Sequence, residues 1–136
     1  MGIAATLIAA ARAVAGHPTE LPNHLLDRHP ELTCARWRRG GLPVRVGGWC
    51  LGQSTVAAIT LWHTIWLAPD LEVSEELLLH EIQHVAQFEA SVWFPVRYVW
   101  ESIRRGYSRN RFEVDARTYA AHRVRLTTKQ APDTVR

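Results

Sequence analysis

The sequence predicts an α+β domain: a short β-sheet packed on one central helix, with further helices towards the C-terminus. Three observations lead there. Between about residues 43 and 67 the chain is rich in β-branched and aromatic residues, punctuated by glycine and proline. From residue 74 the apolar residues recur instead at spacings of three and four. The chain has 136 residues, 47% apolar and 21% charged, the length and balance of one unit that buries its own core.

Taken in order, residues 3–15 are apolar and alanine-rich and read as a helix, stopped by Gly16-His17-Pro18. Residues 17–41, rich in Pro, His and Arg, show little periodicity and read as a loop with a short helix at Leu25–Arg28. Pro43 to Gly52 reads as a strand carrying Val44, Val46 and Trp49. Thr55–Leu61 and Thr64–Leu67 read as a hairpin or two short strands around Trp62-His63, ended by Pro69-Asp70. Ser74 is the expected N-cap of the central helix, with Glu75 and Glu76 in its first turn, where the helix dipole favours acids. That helix runs to about Ala90 on an apolar stripe of Leu78, Ile82 and Val85. A second helix starts near Ser91, tolerates Pro95 in its first turn and ends at Gly106. Asn110 caps a third, from Arg111 to about Leu126. One domain of residues 1–136 is expected, with its core over about 43–126 and a polar tail at 127–136.

Charge and cysteine content narrow the function classes. The net charge is +3, with the excess in late arginines from Arg97 to Arg125, which fits a solvated helix face. No recognised nucleic-acid module interleaves basic with aromatic residues, so no nucleic acid is expected as partner. Two cysteines, Cys34 and Cys50, are too few for a disulfide framework and are expected as buried thiols. The first apolar stretch lacks a preceding positive residue, is interrupted by Arg12 and is too short to span a bilayer, so a cytoplasmic protein is expected. The aromatic stretch Trp93 to Trp100 is expected as a core helix behind the central one, with arginines at its solvent edge. Contact with a membrane surface is the less favoured reading of it.

The chemistry concentrates in His80-Glu81-Ile82-Gln83-His84. On a helix, positions i and i+4 share one face, so both imidazoles can address one ion, and zinc accepts imidazole nitrogen readily. Glu81 follows the first histidine and is free to hold and deprotonate a metal-bound water. A catalytic zinc needs a third protein ligand and an open position. Glu89, Glu101, Glu113, Asp115 and His122 are the candidates. Glu113 and Asp115 stand two apart, so a helix cannot aim both at one ion, and the residues alone leave the choice between them open. Tyr98 and Tyr107 are candidate donors to an oxyanion, although a tyrosine packed at the edge of the core is the commoner arrangement.

His80-Glu81-x-x-His84 followed by Tyr107-x-x-Asn110-x-Phe112-Glu113-x-x-Ala116 resembles the small bacterial gluzincins, minimal zincin-like domains that carry HELxHxxQ and then NPxExxA. The resemblance spans roughly residues 55–120, and Gln87 matches the motif's glutamine. Arg111 stands where the motif often has proline. The resemblance implies a zinc metallopeptidase in which His80, His84 and Glu113 bind Zn2+ and Glu81 is the general base. Its partner would be a peptide or protein substrate, gripped by strand addition beside the central helix. The alternative is a zincin-like domain that binds metal or a protein without hydrolysis. The sequence gives no oligomeric state.

Overall fold

A computed structural model describes residues 2–50 and 56–130. The chain is α+β: α1 (Ile3–Ala15), β1 (His17–Pro18), α2 (Asn23–Arg28), a 3-10 turn (Pro30–Cys34), β2 (Arg36–Arg39), α3 (Leu42–Cys50), β3 (Ala58–Leu61), β4 (Thr64–Leu67), α4 (Glu75–Ala90), α5 (Phe94–Arg105), a 3-10 turn (Tyr107–Arg109) and α6 (Arg111–Gln130). The sheet order is β1-β2-β4-β3. β2 pairs antiparallel with β1 and parallel with β4, while β3 and β4 form the antiparallel hairpin. Trp62 makes the tight turn of that hairpin with φ 54°.

β2 was expected as loop, because three of its four residues are arginines. Only Trp37 faces the core, opposite Ile65 of β4, and its indole donates to the Leu32 carbonyl at 2.9 Å. Two of the arginines, Arg38 and Arg39, spend their donors on backbone carbonyls. Arg38 reaches Ala15 and Gly16 at 2.5 and 2.9 Å, and Arg39 reaches Leu71 at 2.9 Å. Guanidinium forks thus bind the end of α1 and the loop after β4 to the sheet.

The strand expected over 43–52 is corrected to a helix as far as it is described, since α3 covers Leu42–Cys50 and residues 51–52 lie outside the described residues. Val44 is fully buried, whereas Val46, its partner in a two-residue period, is 46% exposed. The inner face continues instead through Gly47, where an added Cβ would meet Val56 Cγ2 at 3.1 Å and Ile59 Cδ1 at 3.4 Å. The helix approaches β3 closely because glycine stands there.

The expected caps are present. Ser74 accepts from the Leu77 amide at 3.2 Å, and Asn110 accepts from the Phe112 amide at 2.9 Å. The core joins Leu78, Leu79, Ile82 and Val85 of α4 to Ile65 and Leu67 of the sheet, Leu32 and Trp37, and Ala120 of α6. Ala116 and Ala120 are both fully buried, which lets α6 lie close along α4. Two expectations about the surface fail. Cys34 is exposed at the end of its 3-10 turn, because Leu32 takes the inward position; the Cys50 side chain lies outside the described residues. α5 is not wrapped in core either. Phe94 and Glu101 are buried, but Val96, Val99, Trp100 and Ile103 are 56–73% exposed. Of the expected polar tail, 127–130 continue α6 and 131–136 lie outside the described residues.

Candidate metal centre

Three side chains named from the sequence converge. His80 and His84, one turn apart on α4, point their Nε2 atoms at each other across 3.1 Å. Glu113, from the first turn of α6, places Oε2 3.2 Å from His80 Nε2 and Oε1 3.2 Å from His84 Nε2. Metal bonds of about 2.0–2.2 Å at a tetrahedral angle hold ligand atoms about 3.3–3.6 Å apart. The observed spacings fall a tenth or two short of that range, so a small outward adjustment seats an ion. Glu113 Oε2 is also buried and without a hydrogen-bond partner, an arrangement that a cation would satisfy. The donor set, two imidazoles and one carboxylate, suits zinc and leaves a fourth position free for water.

The remaining carboxylates lie elsewhere. Asp115 accepts from Gln83 Nε2 at 2.8 Å and from Gln87 Nε2 at 3.0 Å. Glu89 pairs with His63, and Glu101 with Arg105. His122 is exposed on α6.

Gln87 fixes the tautomer of His84. Its amide nitrogen faces only acceptors, Asp115 Oδ2 and the Phe112 carbonyl at 3.1 Å, so it must be the donating end. Gln87 Oε1 therefore faces His84 Nδ1 at 2.8 Å as an acceptor. Nδ1 carries the proton, and the Nε2 lone pair points at Glu113 and His80. A histidine that ligates a metal through Nε2 needs this arrangement.

Glu81 is buried beside the pair. Its Oε2 accepts from Thr60 Oγ1 at 2.6 Å, and Thr60 belongs to the outermost strand, β3. Sequence reasoning missed Thr60; a threonine in a β-rich run carries no signal of its own. Asn110 was read only as a cap. It is fully buried and also donates to the Tyr98 carbonyl at 3.0 Å and to Ser102 Oγ at 2.8 Å, tying the start of α6 to α5. Tyr98 OH in turn donates to Glu113 Oε1 at 2.5 Å.

The electrostatics follow from burial around one carboxylate. Burial alone would raise the Glu113 pKa, but the two imidazoles beside it, in their protonated forms, and the hydroxyl donated by Tyr98 outweigh it and hold the acid far below the usual carboxylate range. Burial alone would lower that of His84, but the Glu113 partner prevails and raises it. Tyr98 and Tyr107 are both pushed up, first by burial and then by Glu113, so both hydroxyls keep their protons at neutral pH.

The cluster opens into a cleft of about 1400 Å³ lined by His80, Glu81, His84 and Glu113. β3 and α4 contribute to its lining, together with Val14 of α1, Leu42 and Val46 of α3, Phe94 and Tyr98 of α5, and Tyr107. No family model matches the chain, and neither a curated protein nor a solved structure is significantly similar to it.

Proposed function

We propose that the chain is a zinc-dependent peptidase of the gluzincin type, with His80, His84 and Glu113 as metal ligands and Glu81 as general base. The observation that carries this is the convergence of three ligand groups on an open cleft, with a fourth, non-ligating carboxylate held alongside by Thr60. A closed structural site has no use for either the opening or Glu81.

A zinc bound here would polarise a peptide carbonyl and bring the pKa of a bound water towards neutrality. Thr60 holds the Glu81 carboxylate in place, where it would serve as the base that takes a proton from an attacking water and returns it to the leaving amine. Tyr98 is committed to Glu113 at 2.5 Å, and Tyr107, 47% exposed and lining the cleft, is the more accessible hydroxyl to donate to the oxyanion. β3 offers the outer edge of the sheet to an extended peptide, and Leu42, Val46 and Leu61 favour apolar residues beside it.

The test is metal content followed by hydrolysis. We expect one zinc per chain after purification without a histidine tag, lost in His80→Ala. Glu81→Gln should keep the metal while cutting peptide hydrolysis by roughly 10²–10⁴-fold. Zinc bound with no hydrolysis across a broad peptide library would leave a zincin-like binding domain instead.

A further inference from the structure

The outward face of α5 is apolar and has no covering element among the described residues. Val96, Val99, Trp100 and Ile103 stand at helical spacings i, i+3, i+4 and i+7, so they form one stripe opposite the buried Phe94 and Glu101. Val92 and Trp93, 85% and 64% exposed, extend it past the N-terminus of the helix. Isolated exposed apolar residues are ordinary, but a continuous stripe with two tryptophans marks a contact surface.

The charges beside the stripe say what it meets. Arg97 and Arg104 flank its Trp100 side, and the Arg104 guanidinium lies 6.0 Å from the Trp100 ring. Arg109 follows in the next turn and is exposed. Residues 94–130 carry nine Lys and Arg against three acids. Of those acids, Glu101 and Glu113 are buried, and Asp115 is bonded to Gln83 and Gln87. A second copy related by a twofold axis would set these arginines against their equivalents, which opposes self-association. An anionic bilayer accepts both features at once: tryptophan at the headgroup level, aliphatic side chains just beneath, arginines on the phosphates.

We propose that the protein docks on anionic membrane surfaces through this face of α5, lying in the interface rather than across it. No described helix is long and apolar enough to cross a membrane. Pro95 and Val99 line both the outer stripe and the metal cleft, so docking sets the mouth of the cleft beside the lipid surface. Membrane docking does not depend on the zinc reading, and its test needs no activity.

The experiment is flotation of the full chain with two kinds of vesicle at low salt: phosphatidylcholine alone, and phosphatidylcholine with one third phosphatidylglycerol. The chain should float with the anionic vesicles, hardly at all with the neutral ones, and be released by high salt. V96Q/W100Q/I103Q should lower partitioning on the order of a hundredfold. R97Q/R104Q should lower it roughly fivefold per arginine, on anionic vesicles only. Circular dichroism checks that each variant keeps its helices; if the apolar variant does not fold, the arginine variant decides alone. The proposal is overturned if the wild type stays unbound with anionic vesicles, or if the folded variants partition as it does. A lipid-free dimer that V96Q/W100Q/I103Q splits would overturn it too, in favour of a self-association surface.

Discussion

Replacing Gln87 with leucine tests the metal centre without touching a proposed ligand. The side chain is buried and similar in volume to leucine, so the substitution removes hydrogen bonds and leaves little cavity. Three contacts disappear: the acceptor for His84 Nδ1 at 2.8 Å, and the donations to Asp115 and to the Phe112 carbonyl at 3.0 and 3.1 Å. His84 Nδ1–H is left without a partner in a buried setting, and the ring is free to rotate or change tautomer. Either change takes the Nε2 lone pair out of line with Glu113. Loss of such an orienting partner typically costs roughly 10–100-fold in metal affinity, about 1.4–2.8 kcal/mol. Competition against a chromophoric chelator at neutral pH measures it directly. Gln87→Glu gives a second point. It keeps an acceptor for Nδ1 but sets a carboxylate against Asp115, so it should retain the tautomer while losing fold stability. Zinc affinity of Gln87→Leu within twofold of wild type would refute the assigned role of Gln87, because the tautomer would then be set by something else.

Three further outcomes follow from the same geometry. Glu113→Ala should lose the zinc at sub-stoichiometric chelator, whereas Asp115→Asn should keep it; the reverse result would exchange the two roles. In the metal-free protein, the raised pKa of His84 means that its pairing with Glu113 stabilises the fold fully below the unfolded-state pKa of about 6.5, and that this is lost as pH rises through the folded value. The melting temperature of the apo protein, measured against His84→Gln, should therefore fall as pH rises above about 6.5, and a rising difference would contradict the pairing. Gly16→Ala should destabilise by about 2–4 kcal/mol in urea unfolding, because its φ is +67° and an added Cβ would lie 2.6 Å from the Arg39 and Gly40 carbonyls. A loss under 1 kcal/mol would mean that the junction between α1 and β2 relaxes freely.

Legibility in the sequence tracked how far each signal depended on neighbours along the chain. The β3–β4 hairpin, the caps Ser74 and Asn110 and the pairing of His80 with His84 are local, and all were readable. β2 was not, because two of its arginines satisfy backbone carbonyls in two other segments and so look like solvated charge. α3 was misread because its inward face is completed by glycine, which carries no hydrophobic signal, while Val44 and Val46 mimic a strand period. α5 was misassigned for the opposite reason: an amphipathic pattern gives the apolar face of a helix but not whether that face is covered.

The third carboxylate shows how the ambiguity could have been narrowed from residues already in view. Glu113 and Asp115 are about 200° apart around a helix, so the side of α6 that meets α4 decides between them. Ala116 and Ala120 stand at i+3 and i+7 from Glu113, and two small residues at that spacing mark the face where a neighbouring helix comes closest. Both are fully buried, and Glu113 shares their face. Asp115 points away from the two imidazoles, yet it is held within reach of Gln83 and Gln87, each three residues after a histidine of the pair. Gln87 carries that contact on to His84, so Asp115 bears on the histidine's tautomer from outside the ligand cluster. Neither acid is spare: one faces the imidazoles and the other orients the glutamine that orients an imidazole, which is why Asp115→Asn should weaken zinc binding less than Gln87→Leu does and Glu113→Ala more than either.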